Sequence, residues 1–184
     1  SKLLAALFTA VTARTAGFNT VPMEALAPAA AMVVIVLMYI GGSPGGTAGG
    51  IKTTTFAVAV LNTVRILRNG RDLEIFSRRI PDRTSNRAFA IVLLSGAWII
   101  FVTLLLTVVH PELNSLDLLF ETVSAYSTVG LSRDVTPHLF PLGKIMIALT
   151  MLIGRAGVLV FVLAFVKRVE PPRIILPEEH VIIT

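Results

Sequence analysis

The 184 residues include no cysteine. That absence excludes a disulfide framework, a thiolate metal site and a cysteine nucleophile. Charge is scarce as well: 15% of residues are Asp, Glu, Lys or Arg, where a soluble domain carries about 25%. Histidine occurs only at positions 110, 138 and 180, which leaves little material for metal or acid–base chemistry. The long apolar stretches hold no Asp or Glu, so no carboxylate stands there to bind a coupling ion. What is there is hydrophobic, 54% of the chain with a mean hydropathy of +0.81. Disorder is excluded by that figure, and the balance points to a membrane protein.

The net charge of +5 would point a soluble protein toward nucleic acid. In a membrane protein the position of the charges decides. Arg65, Arg68, Arg71, Arg78, Arg79, Arg83 and Arg87 fall between 62 and 87, and Lys167, Arg168 and Arg173 lie in the tail. Between His110 and Lys144 only Arg133 and Lys144 oppose Glu112, Asp117, Glu121 and Asp134. The positive-inside rule places 63–87 and the C-terminus in the cytoplasm and 110–144 outside. Orientation accounts for the basicity without nucleic acid.

Ala88 to Val109 runs 22 residues without a charge, enough for a spanning helix of roughly 20. Pro28 to Asn62 is 35 residues, about 52 Å as one helix and well beyond a core of roughly 30 Å. Its middle, Gly41-Gly42-Ser43-Pro44-Gly45-Gly46-Thr47-Ala48-Gly49-Gly50, has six Gly and one Pro in ten residues and cannot hold a helix. Helix, irregular loop, helix is expected, and at membrane depth such a loop must be buried or line a water-filled cavity. Leu142 to Val166 is apolar except for Lys144 and Arg155. Leu3 to Ala13 and Leu116 to Ala125 are too short to span and read as re-entrant. No Met start or signal peptide opens the chain, so a fragment of a longer chain is expected.

The chain also repeats itself. Thr15-Ala16-Gly17-Phe18 matches Thr128-Val129-Gly130-Leu131, and Ile40-Gly41 matches Ile153-Gly154, both at an offset of 113. Leu7-Phe8-x-x-Val11-Thr12-Ala13 matches Leu119-Phe120-x-x-Val123-Ser124-Ala125 at 112. The unit is a short apolar helix, Thr-x-Gly, a linker and a long helix interrupted at Gly. Only the second copy is preceded by a full span. Thr-x-Gly turns after short helices can present backbone carbonyls in place of an ion's hydration shell. Repeats in membrane proteins often flank a pathway.

Three segments together resemble the Trk/Ktr/HKT superfamily of potassium transporters, most closely its KtrB-type membrane subunits. They are Thr12-Ala13-Arg14-Thr15-Ala16-Gly17-Phe18-Asn19-Thr20, the run from Ile40 through Gly50 to Ile51-Lys52-Thr53-Thr54, and Ile153-Gly154-Arg155-Ala156-Gly157. The resemblance implies an all-α membrane protein of bacterial type, built from K⁺-channel-like M1–P–M2 pore repeats. About one and a half of four are present. Residues 1–62 would close the third repeat and 63–87 form a basic cytoplasmic loop. Residues 88–166 would be the fourth repeat and 167–184 a cytoplasmic tail. K⁺ is the implied ion and Na⁺ a second one. It would be held by the backbone of Thr15, Ala16, Gly17, Phe18, Thr128, Val129, Gly130 and Leu131.

By the same resemblance Gly41 to Gly50 is an intramembrane gating loop with Lys52 after it, and Arg155 is the arginine that faces it. Ala16 departs from Val129 at the matched position, as in a pore of only approximate fourfold symmetry. The implied partners are the rest of the four-repeat chain, a second copy in a homodimer, and a KtrA-like cytosolic nucleotide-binding ring. That ring would dock on 62–87 and the tail, where anionic lipid is the competing contact.

Several residues stand out on physical grounds too. An Arg at the centre of an apolar helix costs about 2.5–3.5 kcal/mol on insertion scales and usually faces a bundle interior or cavity, which singles out Arg155. Lys52 is either a gate residue or reaches cytoplasmic water. Arg14 and Glu121 flank the two turns, either as paired supports or as charges of an external vestibule.

Two decoys in the glycine run fail on context. Gly41-Gly42-Ser43-Pro44-Gly45 fits G-x-S-x-G but lacks a preceding strand and a nearby His. Gly45 to Thr53 approaches a P-loop but follows an apolar helix, and Ile51 separates Gly50 from Lys52. An enzyme is therefore not expected. The alternative is an ion-coupled carrier of a small solute built on broken helices.

Overall fold

The computed structural model describes residues 2–46, 48–68, 70, 73–75 and 78–160. The tail 167–184, Thr47 and the end of the last apolar stretch therefore lie outside the described residues. The elements run α1 (Lys2–Thr12), α2 (Pro28–Tyr39), α3 (Thr53–Leu67), β1 (Leu73–Ile75), β2 (Arg78–Ile80), α4 (Asp82–Val109), α5 (Ser115–Tyr126) and α6 (Pro141–Ala156). The fold is mostly helical. The exception is the β1–β2 hairpin, antiparallel with Leu73 opposite Ile80.

Helix starts follow local chemistry. α2 and α6 each open on a proline, whose fixed φ and missing N–H suit the first helical position. Those two prolines are 113 residues apart. α5 is capped by Asn114, whose side chain accepts from the Leu116 N–H at 2.9 Å, and Asp117 in its first turn favours the positive helix end. One-turn 3₁₀ helices at Met23–Ala25 and Thr136–His138 keep the same offset.

α5 sits at the centre, with Leu118 and every residue from Phe120 to Tyr126 buried. α4, α6 and α2 pack around it. On α4 the residues Ser95, Ile99, Val102 and Leu106 are buried, one helical stripe. Leu93, Ile100, Leu104 and Val108 on other faces are exposed. Among the described residues α4 is the helix long and apolar enough to cross a membrane. Cross-ties join the bundle: Tyr39 donates to the Val92 carbonyl at 3.0 Å, and Trp98 Nε1 donates to Thr150 Oγ1 at 3.3 Å. α1, the repeat mate of buried α5, shows the opposite surface, with Leu3, Leu4, Leu7 and Val11 exposed.

Three boundaries differ from expectation. α4 starts at Asp82, six residues before the charge-free run, because Pro81 opens it and Asp82 pairs with Arg65 of α3 at 2.6 Å. Residues 63–87 are consequently the end of α3, the hairpin and the start of α4 rather than a plain loop. The last long segment breaks at Gly157, where φ is +88°, with helix resuming at 158–160. The left-handed region is open to glycine at no steric cost.

Candidate functional site

The two Thr-x-Gly turns leave the ends of α1 and α5 in the same way. Thr15 and Thr128 have φ of 69° and 52°, and Gly17 and Gly130 have φ of 76° and 88°. A β-branched residue at positive φ is a strained outlier, and such strain gathers where surrounding structure enforces a function. The turns stand side by side. A Cβ on Gly17 would lie 2.3 Å from the Val129 carbonyl oxygen, and one on Gly130 would lie 3.9 Å from Gly17 Cα. Only glycine at 17 allows that approach.

The glycine-rich loop is closed at its base by a bridge between Ile40 and Ile51, and the Thr53 N–H donates to the Gly42 carbonyl at 3.2 Å. It lies against the threonines of both turns. The Gly49 N–H donates to Thr128 Oγ1 at 3.1 Å, and a Cβ on Gly42 would stand 3.8 Å from Thr15 Oγ1. The Gly50 N–H donates to the Gly154 carbonyl at 3.2 Å, which fastens the loop to α6. Lys52 Nζ donates to the Ala48 carbonyl within the loop. Arg155 lines a cavity of about 290 Å³ together with Ala48 to Lys52, Tyr126 and residues 154–160. Ser43, Pro44, Gly45 and Gly46 form the loop's exposed far side, apart from these contacts.

The two flanking charges differ. Glu121 is buried and its carboxylate accepts from Ser132 Oγ and, at 3.3 Å, from the Val135 N–H. It thus anchors the chain that leaves the second turn. Arg14 is exposed on the first turn. Of the acids between 110 and 144, Glu112 is held below the usual carboxylate range by a hydrogen bond to its own backbone and then by His110. Asp117 accepts from Arg133 Nε at 2.6 Å. No cluster of three His, Asp or Glu residues suited to a metal occurs among the described residues.

Two features were not read from the sequence. Arg133 bonds Asp117 and also donates to the Met23 carbonyl at 2.6 Å and to the Leu26 and Glu24 carbonyls at 3.3 Å. Its guanidinium thus staples the linker after the first turn to the start of α5. Being the lone arginine between 110 and 144 was its only signal. Arg133→Met leaves a carboxylate and three carbonyls short of a charged donor. It is expected to cost about 2–3 kcal/mol, read as a lower unfolding midpoint of the complete protein in detergent. An unchanged midpoint would contradict the staple.

The second feature is a pair of hydroxyls. Thr12 Oγ1 donates to the Phe18 carbonyl at 2.5 Å, and Ser124 Oγ donates to the Leu131 carbonyl at 2.6 Å. The alignment of Thr12 with Ser124 was the visible sign.

Known proteins match this chain along nearly its whole length. The TrkH family, described as cation transport proteins, matches residues 1–175. "Ktr system potassium uptake protein B" of Vibrio alginolyticus is 40% identical over 97% of this chain and 39% of its own length. The protein of the same name in Bacillus subtilis is 38% identical over 90% of this chain and 37% of its own. The crystal structure of the potassium transporter TrkH from Vibrio parahaemolyticus superposes with a TM-score of 0.74 at 19% identity, over 88% of this chain and 36% of that one.

This mostly helical, apolar chain has its relatives in a family of membrane transport proteins, which is not an enzyme family. It belongs to the TrkH family of cation transport proteins. The chain spans about two fifths of the length of the curated relatives it matches.

Proposed function

We propose that this chain supplies the last part of a pore for K⁺ uptake. The observation that carries the reading is the contact of two Thr-x-Gly turns, with a glycine-rich loop lying on their threonines. In this reading α1 and α5 are pore helices of M1–P–M2 repeats. α2 with α3 and α6 are the following M2 segments, and α4 is the M1 of the last repeat. Backbone carbonyls of Thr15, Ala16 and Gly17 and of Thr128, Val129 and Gly130 replace the water of K⁺, with Phe18 and Leu131 closing the filter outside. Relatives named for potassium uptake support the ion. A "Potassium/sodium uptake protein NtpJ" of Enterococcus hirae, 33% identical, supports Na⁺ as a second one. The ion is cargo, so no covalent chemistry is required.

The loop Gly41–Gly50 is the gate. It lies at the threonine end, where an ion leaving the filter must pass, and single hydrogen bonds from Gly49 and Gly50 hold it there. Each is worth about 0.5–1.5 kcal/mol, weak enough to open. Lys52 holds the loop's shape, and Arg155 sets a positive barrier in the cavity beneath. Glu121 supports the filter from behind, and Arg14 is left for a partner or the vestibule. Residues 63–87 and the tail are assigned to the cytoplasmic side, with a nucleotide-binding ring as regulator; the "Ktr system" names of relatives support a further component of some kind. The full assembly is a homodimer of four-repeat chains in the plasma membrane. The carrier alternative lacks an ion-binding carboxylate in the broken helices.

The test is K⁺ uptake by the complete protein in liposomes. Arg155→Ala is expected to raise it about tenfold or more, since like unit charges about 4 Å apart repel by about 1–4 kcal/mol between water and a protein surface. Unchanged uptake would remove Arg155 from the gate. Obligatory counter-movement of an organic solute would favour the carrier.

A further inference from the structure

Side-chain hydroxyls on these helices follow a habit. Thr9, Thr63, Thr107, Thr122 and Thr150 each donate back to the carbonyl four residues earlier, the ordinary helical arrangement. Thr12 and Ser124 do not. Thr12 reaches forward six residues to the Phe18 carbonyl and also accepts from the Phe18 N–H at 2.9 Å. Ser124 reaches forward seven residues to the Leu131 carbonyl. Both hydroxyl residues are buried, 2% and 3% exposed. They occupy matched places in the repeat, and both hold the first carbonyl beyond the turn glycine.

We propose that Thr12 and Ser124 are positioning residues for ion selection, a reading that rests on the filter assigned above. Each hydroxyl takes the carbonyl of Phe18 or Leu131 into the wall of the pore helix. The row of oxygens left for the ion then ends at Gly17 and Gly130, so Phe18 and Leu131 are not ion ligands. The same bond fixes the distance between the end of the pore helix and the outer end of the turn. Selection between K⁺ and Na⁺ depends on how many oxygens surround the ion and how freely they move. Losing the hydroxyl frees one oxygen at the mouth and loosens the turn, and the smaller Na⁺ gains more from a ring that can contract.

The experiment measures the K⁺ to Na⁺ uptake ratio of the complete protein in liposomes, with thermal unfolding recorded for each variant. Thr12→Val keeps the shape and removes the hydroxyl, Thr12→Ser keeps the hydroxyl, and Ser124→Ala and Ser124→Thr form the matching pair. Val and Ala are expected to lower the ratio about fivefold, the effect of one hydrogen bond, and Ser and Thr to hold it near wild type. A wild-type ratio in Ser124→Ala overturns the proposal, including where Thr12→Val does not fold. So does a fall in total uptake at an unchanged ratio, which would make the hydroxyls structural only. A wild-type protein that passes neither ion overturns the pore reading itself and is distinguished by that.

Discussion

Gly17→Ala is expected to cut K⁺ uptake by the complete protein about a hundredfold while leaving it folded. Two costs combine. The backbone at Gly17 has φ +76°, where an L side chain costs roughly 1–2 kcal/mol. The new Cβ would also stand 2.3 Å from the Val129 carbonyl oxygen, a backbone atom that cannot rotate away. Overpacking of that kind costs about 1–3 kcal/mol, and the two together correspond to about two orders of magnitude at 1.4 kcal/mol per tenfold. The clash is relieved by parting the turns, which spoils the carbonyl ring without unfolding the helices behind it. Gly130→Ala is the internal comparison. Its φ of +88° carries the same strain, but among the described residues its Cβ meets only Gly17 Cα, at 3.9 Å, so the loss should be nearer tenfold by the strain alone. Uptake measured at equal amounts of folded protein checks both. Equal and small losses would mean that the two turns do not meet.

Gly154→Ala should act on stability instead. A Cβ there would fall 1.7 Å from the Tyr126 carbonyl oxygen and 3.0 Å from Tyr126 Cα. Nothing in this contact is a flexible side chain, so α6 must move off the end of α5. That shift also disturbs the Gly154 carbonyl, the acceptor for Gly50. A loss of about 3 kcal/mol or more is expected, at the upper end of overpacking effects. It should appear as low yield and an unfolding midpoint many degrees lower in detergent. Gly157→Ala, with nothing within 4 Å among the described residues but φ +88°, should cost only the backbone strain, about 1–2 kcal/mol. If both variants melt like wild type, α6 does not pack on Tyr126.

Much of the fold was legible because hydrophobic length and glycine content are one-dimensional signals. The charge-free run at 88–109 emerges as a helix, the glycine run that breaks a 35-residue apolar stretch as a loop, and the 113-residue offset as matching element starts. Pro28 and Pro141 even mark matching helix starts. What stayed hidden depends on where side chains point after folding. Arg133 crosses more than a hundred residues to reach the Met23 carbonyl, and no local pattern announces it. Thr12 and Ser124 looked like ordinary helix residues, since hydroxyl direction is set by the turn that follows. Gly154 read as a break and proved to be a contact, because a break needs a special φ and a contact needs only a missing Cβ. The break itself fell at Gly157.

Ions are expected on a pore axis that the Thr15–Gly17 and Thr128–Gly130 turns line side by side. Anomalous diffraction from crystals of the complete protein grown with rubidium in place of potassium locates them. Rubidium peaks should lie on that axis beside both turns, above the glycine-rich loop and inside the Phe18 and Leu131 carbonyls. Peaks only elsewhere, for example at the Glu121 carboxylate, with none along the turns, would show that the turns hold no ion.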